Sequence, residues 1–176
     1  ISGGNALMDS QVFGRVAGES AARFAQKISD APAIAPQRAE QAVAALCSSS
    51  GDDPTTIREQ VRLEMSRLCS VYRTEVGLRA LCDLLSGLNR RGVRPSGAPL
   101  AQTIETINIL QVANVIANAA LERDESRGPH LRFPADGSLK PLPTAEPAWN
   151  RYIVARAGLR GLVLERREPI VEDIVG

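Results

Sequence analysis

The sequence of 176 residues contains few of the side chains from which metal and disulfide sites are built. It has one histidine, His130, and three cysteines, Cys47, Cys69 and Cys82, which are widely spaced and form no Cys-x-x-Cys pair. A zinc site or a disulfide framework is therefore not expected, and buried thiols in a reducing compartment are the simpler interpretation. A Ser/His/Asp triad would depend on that one histidine, so the sequence assigns no metal ligand and no catalytic residue.

The sequence also has few aromatic residues and no excess of charge of either sign. Aromatic side chains make up 3% of the chain and the formal net charge is +1, so we expect no nucleic-acid partner. No uninterrupted apolar run exceeds six residues, which predicts no transmembrane segment. Hydrophobic residues make up 44% and charged residues 23%, which is typical of a globular domain with a substantial core.

Apolar periodicity predicts five helices followed by a small β-hairpin. Spacings of three and four place the helices at about residues 6–30, 36–47, 54–72, 74–88 and 100–123. Proline and glycine then become frequent, which predicts irregular chain up to two short strands at about 152–156 and 159–165. The predicted fold is mainly α, a helical bundle of about five helices with a long N-terminal helix, a C-terminal β-hairpin and an irregular tail.

The fifth predicted helix is apolar over most of its circumference, which is typical of a helix buried on all sides. Its polar residues form one narrow stripe that consists of Asn108, Gln111, Asn114 and Asn118. We interpret these amides as partners of neighbouring backbone groups. Contact with a ligand is the alternative interpretation.

The first residues form a glycine turn that leads directly into the first helix. Asn5 follows the pair Gly3-Gly4 and is suited to cap the helix, because its side-chain oxygen can accept a hydrogen bond from a first-turn amide. The helix is rich in alanine and glycine, which suits close packing against a flat surface. Because the chain begins with Ile1 rather than Met, we interpret it as a fragment or a processed product.

Three segments carry motifs that recur together in one protein family. They are Gly3-Gly4-Asn5-Ala6-Leu7 with Val12-Phe13-Gly14-Arg15, the stretch from Met65 to Val71-Tyr72-Arg73, and Ala120-Leu121-Glu122-Arg123 with Glu125-Ser126-Arg127-Gly128-Pro129-His130. In these motifs the chain resembles the C-terminal part of the succinate dehydrogenase/fumarate reductase flavoproteins, which include L-aspartate oxidase and adenylylsulfate reductase. Two positions depart from the family pattern, since Ala6 replaces the usual serine and Pro129 the usual alanine.

The resemblance implies that the start of the first helix forms one edge of an FAD site. The helix N-terminus would face the pyrimidine side of the flavin, where free amides stabilise the negative charge that develops on reduction. The implied cofactor-binding residues are Asn5, Ala6 and Leu7, through their backbone, and no catalytic residue of the family falls on this chain. The loop 126–130 is implied to be a structural lock in which Arg127 pairs a carboxylate or backbone carbonyls, and an electrostatic contribution to the active site is the alternative.

We therefore predict three segments: residues 1–31 as the terminal turn and helix of an FAD-binding domain, 32–130 as a helical bundle domain, and 131–176 as an extended segment with short strands. The implied function is that of the C-terminal helical domain of an FAD-dependent oxidoreductase, which alone is inactive and binds no FAD. Its implied partners are the FAD-binding and capping domains and an iron–sulfur subunit. The alternative is a cofactor-free helical interaction module that docks on a partner subunit, and the codons upstream of Ile1 discriminate between the two.

Two further expectations concern assembly and location. Val12, Phe13 and Val16 lie on one side of the first helix, and their exposure would favour a homodimer through that helix. The resemblance implies a cytoplasmic protein that associates with a membrane only through partner subunits.

Overall fold

The structure, a computed structural model, describes residues 5–28, 36–47, 50–95, 97–159 and 161–169, with the backbone alone at residues 5–7 and 9. Within those ranges the chain forms the helices α1 (Asn5–Gln26), α2 (Pro36–Cys47), α3 (Pro54–Leu68), α4 (Glu75–Arg91) and α5 (Leu100–Glu122). The strands are β1 (Tyr72–Thr74), β2 (Leu131–Phe133), β3 (Tyr152–Gly158) and β4 (Gly161–Arg167). The predicted mainly α fold with a small C-terminal hairpin is confirmed.

By packing, the chain divides into two compact units, residues 1–41 and residues 42–176. The first unit contains α1, all of whose described side chains are exposed to solvent. The boundary falls within α2, and the second unit contains the rest of that helix, α3, α4, α5 and all four described strands. The predicted division at residues 31 and 130 refers to the domains of a larger protein and stays a prediction.

The core of the second unit lies where α3, α4 and α5 pack together. The start of α3 is as predicted: Asp53 accepts a 3.0 Å hydrogen bond from the amide of Thr56, and Pro54 occupies the first turn. Thr74 caps α4 in the same way through a 3.1 Å bond from the amide of Gly77. The most deeply buried apolar residues of the three helices are Ile57, Val61, Leu78, Leu81, Leu85, Leu88, Leu110 and Ala117.

The predicted third helix is too long at its C-terminal end. α3 ends at Leu68, and Tyr72 instead begins β1, which pairs in parallel with β2. The Tyr72 ring stacks on Phe133 with centroids 4.0 Å apart, and its hydroxyl donates to the Ala135 carbonyl at 2.8 Å. These partners lie some sixty positions further along the chain, so the helical spacing of Tyr72 could not reveal them. β2 itself lies in the stretch predicted to be irregular.

The prediction that α5 is buried on all sides is wrong. Its core-facing side carries small residues, among them Thr103, Ala113 and Ala117, which allow α3 and α4 to approach closely. Val112 and Ile116 point away from the core and are 56% and 46% exposed. α5 is also long and apolar enough, by length and composition, to cross a membrane. A helix at the centre of a bundle passes the same test, and α5 packs on α3 and α4 within this fold.

The C-terminal hairpin is formed by β3 and β4, which pair antiparallel over their full lengths. Tyr152 lies opposite Arg167 at one end, and Gly158 lies opposite Gly161 at the turn. β3 is therefore two residues longer than predicted, and β4 has the predicted length but lies two residues further along the chain. The hairpin contacts the bundle through β3, which packs against α5, and through Arg166 of β4, which donates to Glu122 of α5 at 2.8 Å.

Candidate functional site

The predicted flavin contact lies at the start of α1. The described helix begins at Asn5, whose side chain lies outside the described residues, so its capping role stays a prediction. Gly3 and Gly4 lie outside the described residues, and so do the side chains of Asn5, Ala6 and Leu7. The backbone of these last three residues forms the first turn of α1, as the resemblance requires. Their contact with a flavin stays a prediction.

The first turn of α1 fits a group that gains negative charge. The first amides of a helix have no partner within the helix, and the helix dipole is positive at this end. No acidic residue is present in that first turn, so no carboxylate of the turn itself opposes an anionic partner. The residues present are thus compatible with a flavin edge at this position.

A second motif region, the loop that follows α5, is organised around a buried carboxylate. Glu125 is completely buried, and its Oε1 accepts hydrogen bonds from Arg123 Nη1 and Arg127 Nε, both at 2.7 Å. Its Oε2 accepts from Arg127 Nη2 at 3.2 Å and from the backbone amide of Ala145 at 2.6 Å. Glu125 therefore ties the end of α5 to a chain segment twenty residues away.

The surroundings of Glu125 keep it ionised. Burial by itself would raise the pKa of this carboxyl, because a charge is costly away from water. The hydrogen bonds from Arg127, Ala145 and Arg123 outweigh that effect and lower the pKa below its ordinary value. A buried carboxylate with this many donors holds the loop in one arrangement and is poorly suited to exchange protons near neutral pH.

Arg127 has the partners expected of a structural lock. Besides Glu125 it donates through Nη1 to Glu146 at 3.1 Å, and neighbouring Ser126 accepts a hydrogen bond from the amide of Arg132 at 3.0 Å. All of these groups belong to the same chain. Sequence reasoning singled out Arg127 but missed Glu125, although both lie in the same motif, because the burial of Glu125 depends on residues far along the chain.

The buried side chain of Arg132 caps the C-terminal end of α5. Its side chain is 2% exposed, and Nη1 donates to the carbonyls of Ala120, Leu121 and Arg123 at 3.0, 3.2 and 2.9 Å. These carbonyls have no hydrogen-bond donor within the helix, so the guanidinium supplies one. Its positive charge also interacts favourably with the negative end of the helix dipole. Burial lowers the pKa of Arg132 from its ordinary value.

His130 lies between two arginines and is held as a neutral ring. Its Nδ1 is 2.7 Å from Arg73 Nη1, and its Nε2 is 3.1 Å from the carbonyl of Arg123. Because a guanidinium can only donate, Nδ1 accepts and the ring proton lies on Nε2, which donates to the carbonyl. Burial lowers the pKa of His130 below its ordinary value, the hydrogen bond to the Arg123 carbonyl opposes this in part, and the positive charges of Arg73, Arg132 and Arg123 lower the pKa further.

The single tryptophan of the sequence, Trp149, packs against the loop that follows α5. Trp149 is 3% exposed, and its Nε1 donates to the carboxylate of Asp124. The guanidinium carbons of Arg123 and Arg166 lie 4.7 and 4.1 Å from the ring centroid, which is cation–π geometry. Trp149 therefore joins the end of α5 to β4.

The polar stripe of α5 divides into two parts. Asn118 Nδ2 donates to the backbone carbonyl of Asn114 at 2.8 Å and to its side-chain oxygen at 3.0 Å. This pair fits the interpretation of local backbone partners. Asn108 and Gln111 are exposed and line shallow surface pockets. In the described part of the chain, no three His, Cys, Asp or Glu side chains are grouped so that they could hold a metal ion.

Comparison with known proteins agrees with this arrangement. Residues 58–136, which include most of α3, all of α4 and α5, and the loop 123–130 that contains Glu125 (the Glu125 loop), match the family described as "Fumarate reductase flavoprotein C-term". The chain is 34% identical over 146 residues to the fumarate reductase flavoprotein of Haemophilus influenzae, covering 74% of this chain and 24% of that protein. It is 31% identical over 152 residues to L-aspartate oxidase of Mycobacterium bovis, and this alignment covers 86% of this chain and 25% of that protein.

Solved structures give the same result. The Mycobacterium smegmatis Sdh1 structure aligns with a TM-score of 0.76 and 30% identity over 96% of this chain and 30% of that chain. Together with the fold, these similarities identify the chain as the helical C-terminal domain of a flavoprotein. The chain belongs to the succinate dehydrogenase/fumarate reductase flavoprotein family and spans about a quarter to a third of the length of these relatives.

Proposed function

We propose that this chain acts as the C-terminal helical domain of an FAD-dependent oxidoreductase, in which the first turn of α1 forms one edge of the flavin site. The observation that carries the proposal is the start of α1 at Asn5, directly after two glycines and with no acidic residue in the first turn. The substrate class we propose is a dicarboxylate or similar acid. Support comes from the names of the relatives, which are a fumarate reductase and an L-aspartate oxidase.

The proposed role of the first turn is electrostatic. FAD, when bound, supplies the hydride chemistry of such an enzyme. The backbone amides of Asn5, Ala6 and Leu7 would donate to the flavin edge at which negative charge accumulates. Such donors raise the reduction potential, because they stabilise the reduced form more than the oxidised form.

The rest of the enzyme would lie outside these 176 residues. We propose the FAD-binding and capping domains as partners, together with an iron–sulfur subunit, in a cytoplasmic protein that reaches a membrane only through partner subunits. The 176-residue chain alone should neither bind FAD tightly nor oxidise a dicarboxylate. Tight FAD binding with oxidation of succinate or aspartate by the purified chain would contradict this proposal.

The substitution Ala6→Pro in the full-length flavoprotein tests the role of the first turn. Proline is tolerated in the first turn of a helix but has no amide to donate. Loss of one hydrogen bond to a charged acceptor costs about 1.5–3 kcal/mol. For a two-electron couple this corresponds to a reduction potential lower by roughly 30–60 mV.

Spectroelectrochemical titration of the bound flavin measures this change, with the FAD content of each variant determined from its absorbance. Ala6→Ser is the matched control, because it restores the residue usual in the resemblance and keeps the amide. Equal potentials in Ala6→Pro and Ala6→Ser, at full FAD occupancy, would show that the Ala6 amide does not contact the flavin.

We also propose that the isolated chain dimerises through α1. Val12, Phe13 and Val16 are 53%, 66% and 55% exposed, which leaves an apolar stripe on this helix. Sedimentation of the chain should show a dimer that Phe13→Glu converts to a monomer. A strict monomer over the micromolar range, with α1 disordered, would refute the dimer and leave the flavin proposal untouched.

A further inference from the structure

A shallow pocket of about 350 Å³ lies beside the C-terminal end of α5, next to β3. Its polar lining consists of Arg73, Arg123 and His130, and its apolar lining includes Ile116 and Ile153. Among the described residues, no acidic side chain lines it. We refer to it as the Arg73 pocket.

Arg73 brings to this pocket a positive charge that no carboxylate of the described residues neutralises. Its Nε donates to the carbonyl of Cys69 at 3.3 Å and its Nη1 to His130 Nδ1 at 2.7 Å, and both acceptors are uncharged. By contrast, Arg123 is paired with Glu125 and also donates to the carbonyl of Arg151. Within the described part of the chain, Nη2 of Arg73 makes no hydrogen bond and Arg73 joins no ion pair.

The lining of the Arg73 pocket defines the chemistry of its ligand. A guanidinium at the polar end matches the geometry of a carboxylate. His130 beside it supplies a second positive charge when Nδ1 gains a proton, which requires its hydrogen bond from Arg73 to break. Ile116 and Ile153 at the other end favour an aliphatic group over water. We propose that the Arg73 pocket binds a carboxylate carried on a short aliphatic chain, either a free acid or the glutamate side chain of another polypeptide.

Binding and protonation of His130 are linked in this proposal. Arg73 from β1, Arg132 from β2 and Arg123 after α5 all face the ring with positive charge and disfavour its protonation. A bound carboxylate would offset these charges and raise the pKa of His130. The ligand should therefore bind more tightly as the pH falls through the pKa of His130 in the complex.

The chain contains a single histidine, so its ring protons form an isolated probe in proton NMR. The pKa of His130 is measured in the 176-residue chain with butyrate, with inorganic phosphate, and with a blocked Gly-Glu-Gly peptide, all at one ionic strength. Butyrate should raise the pKa saturably by at least about half a unit, a threefold change in proton affinity. Phosphate should do so less, because it has no aliphatic part.

Two variants and a control make the test specific. Arg73→Gln should abolish the butyrate effect, whereas Arg79→Gln should retain it, because Arg79 is an exposed residue of α4 paired with Glu75. Ile153→Glu places a carboxylate at the pocket, so it should raise the pKa of His130 without ligand and leave butyrate without further effect. Near-ultraviolet circular dichroism of Trp149 checks that each variant is folded.

The outcomes separate the two sources of the carboxylate. A shift with butyrate but none with the peptide supports a free acid, and a shift with the peptide supports an acidic side chain of another polypeptide. Equal shifts with butyrate and phosphate, or a butyrate shift that persists in Arg73→Gln, would overturn the proposal. So would an unchanged His130 pKa in a folded Ile153→Glu variant.

Discussion

Replacement of Glu125 by glutamine tests whether the buried carboxylate, and not merely a side chain of that size, holds the loop after α5. Glu125 is completely buried and accepts four hydrogen bonds, three of them from the guanidinium groups of Arg123 and Arg127. A glutamine keeps the volume and one acceptor oxygen. Its amide nitrogen, however, would face donors. Arg123 would lose its carboxylate partner and Arg127 would keep only Glu146.

The expected cost follows from these contacts. Breaking a buried pair by removing one charge costs about 3–5 kcal/mol. We take the lower value, about 3 kcal/mol, because Arg127 is partly exposed to solvent and water can compensate it. For a domain of this size, a loss of about 3 kcal/mol lowers the midpoint of thermal unfolding by roughly 10 °C.

Thermal unfolding monitored by the near-ultraviolet signal of Trp149 measures this effect close to the site. Glu105→Gln is the matched control, because Glu105 also pairs with an arginine, Arg58, but is 61% exposed. The control should change stability by less than about 1 kcal/mol. Equal midpoints for Glu125→Gln and Glu105→Gln would refute the stabilising role of the buried charge.

The pH dependence of the same comparison has a defined sign. The pKa of Glu125 is lower in the folded chain than its ordinary value. Its stabilising contribution is therefore fully present above the unfolded-state pKa and is lost as the pH falls through the folded-state pKa. The stability difference between the wild type and Glu125→Gln should be constant above about pH 6 and shrink below about pH 4. A difference that grows on acidification would contradict the assigned charge state.

Three further predictions follow from burial and capping. Leu85→Ala, at a completely buried position of α4, should lower the free energy of unfolding by about 3 kcal/mol in urea, whereas Leu139→Ala, at a position 98% exposed, should change it by less than about 0.5 kcal/mol. Asp53→Ala should cost about 1 kcal/mol in the same assay through loss of the α3 cap, and an unchanged stability would refute that cap. Burial raises the pKa of the Cys82 thiol to about 11, so iodoacetamide at pH 8 should modify the exposed Cys47 well before Cys82. Mass spectrometry measures the two rates of modification, and equal rates would contradict the burial of Cys82.

The local features of the fold could be read from the sequence because they depend on neighbouring residues. Asp53 followed by Pro54 marks the start of α3, and α2 runs from Pro36 to Cys47 as predicted. Such caps and prolines act through backbone groups within one turn. The family could be recognised for a related reason, since its motifs are short runs of adjacent residues.

The candidate sites were predicted less completely. The sequence pointed to Asn5, Ala6 and Leu7 by resemblance, and α1 does begin there. It also pointed to Arg127, whose partner Glu125 lies two residues away in the same motif. The Arg73 pocket was not predicted, although Arg73 and His130 both belong to motifs of the family. Their approach to 2.7 Å joins positions 57 residues apart.

Sequence by itself therefore determined the helical class, the start of each of the five described helices to within one residue, the presence of the C-terminal hairpin and the family. Only the tertiary structure showed that Tyr72 lies in β1 and pairs with β2 rather than extending α3. It also showed that the small residues of α5 face the core and that Glu125 is buried. The physical reason is the range of the interactions involved. Caps, turns and periodicity act between residues a few positions apart, whereas strand pairing, burial and charge neutralisation depend on which distant segments come together.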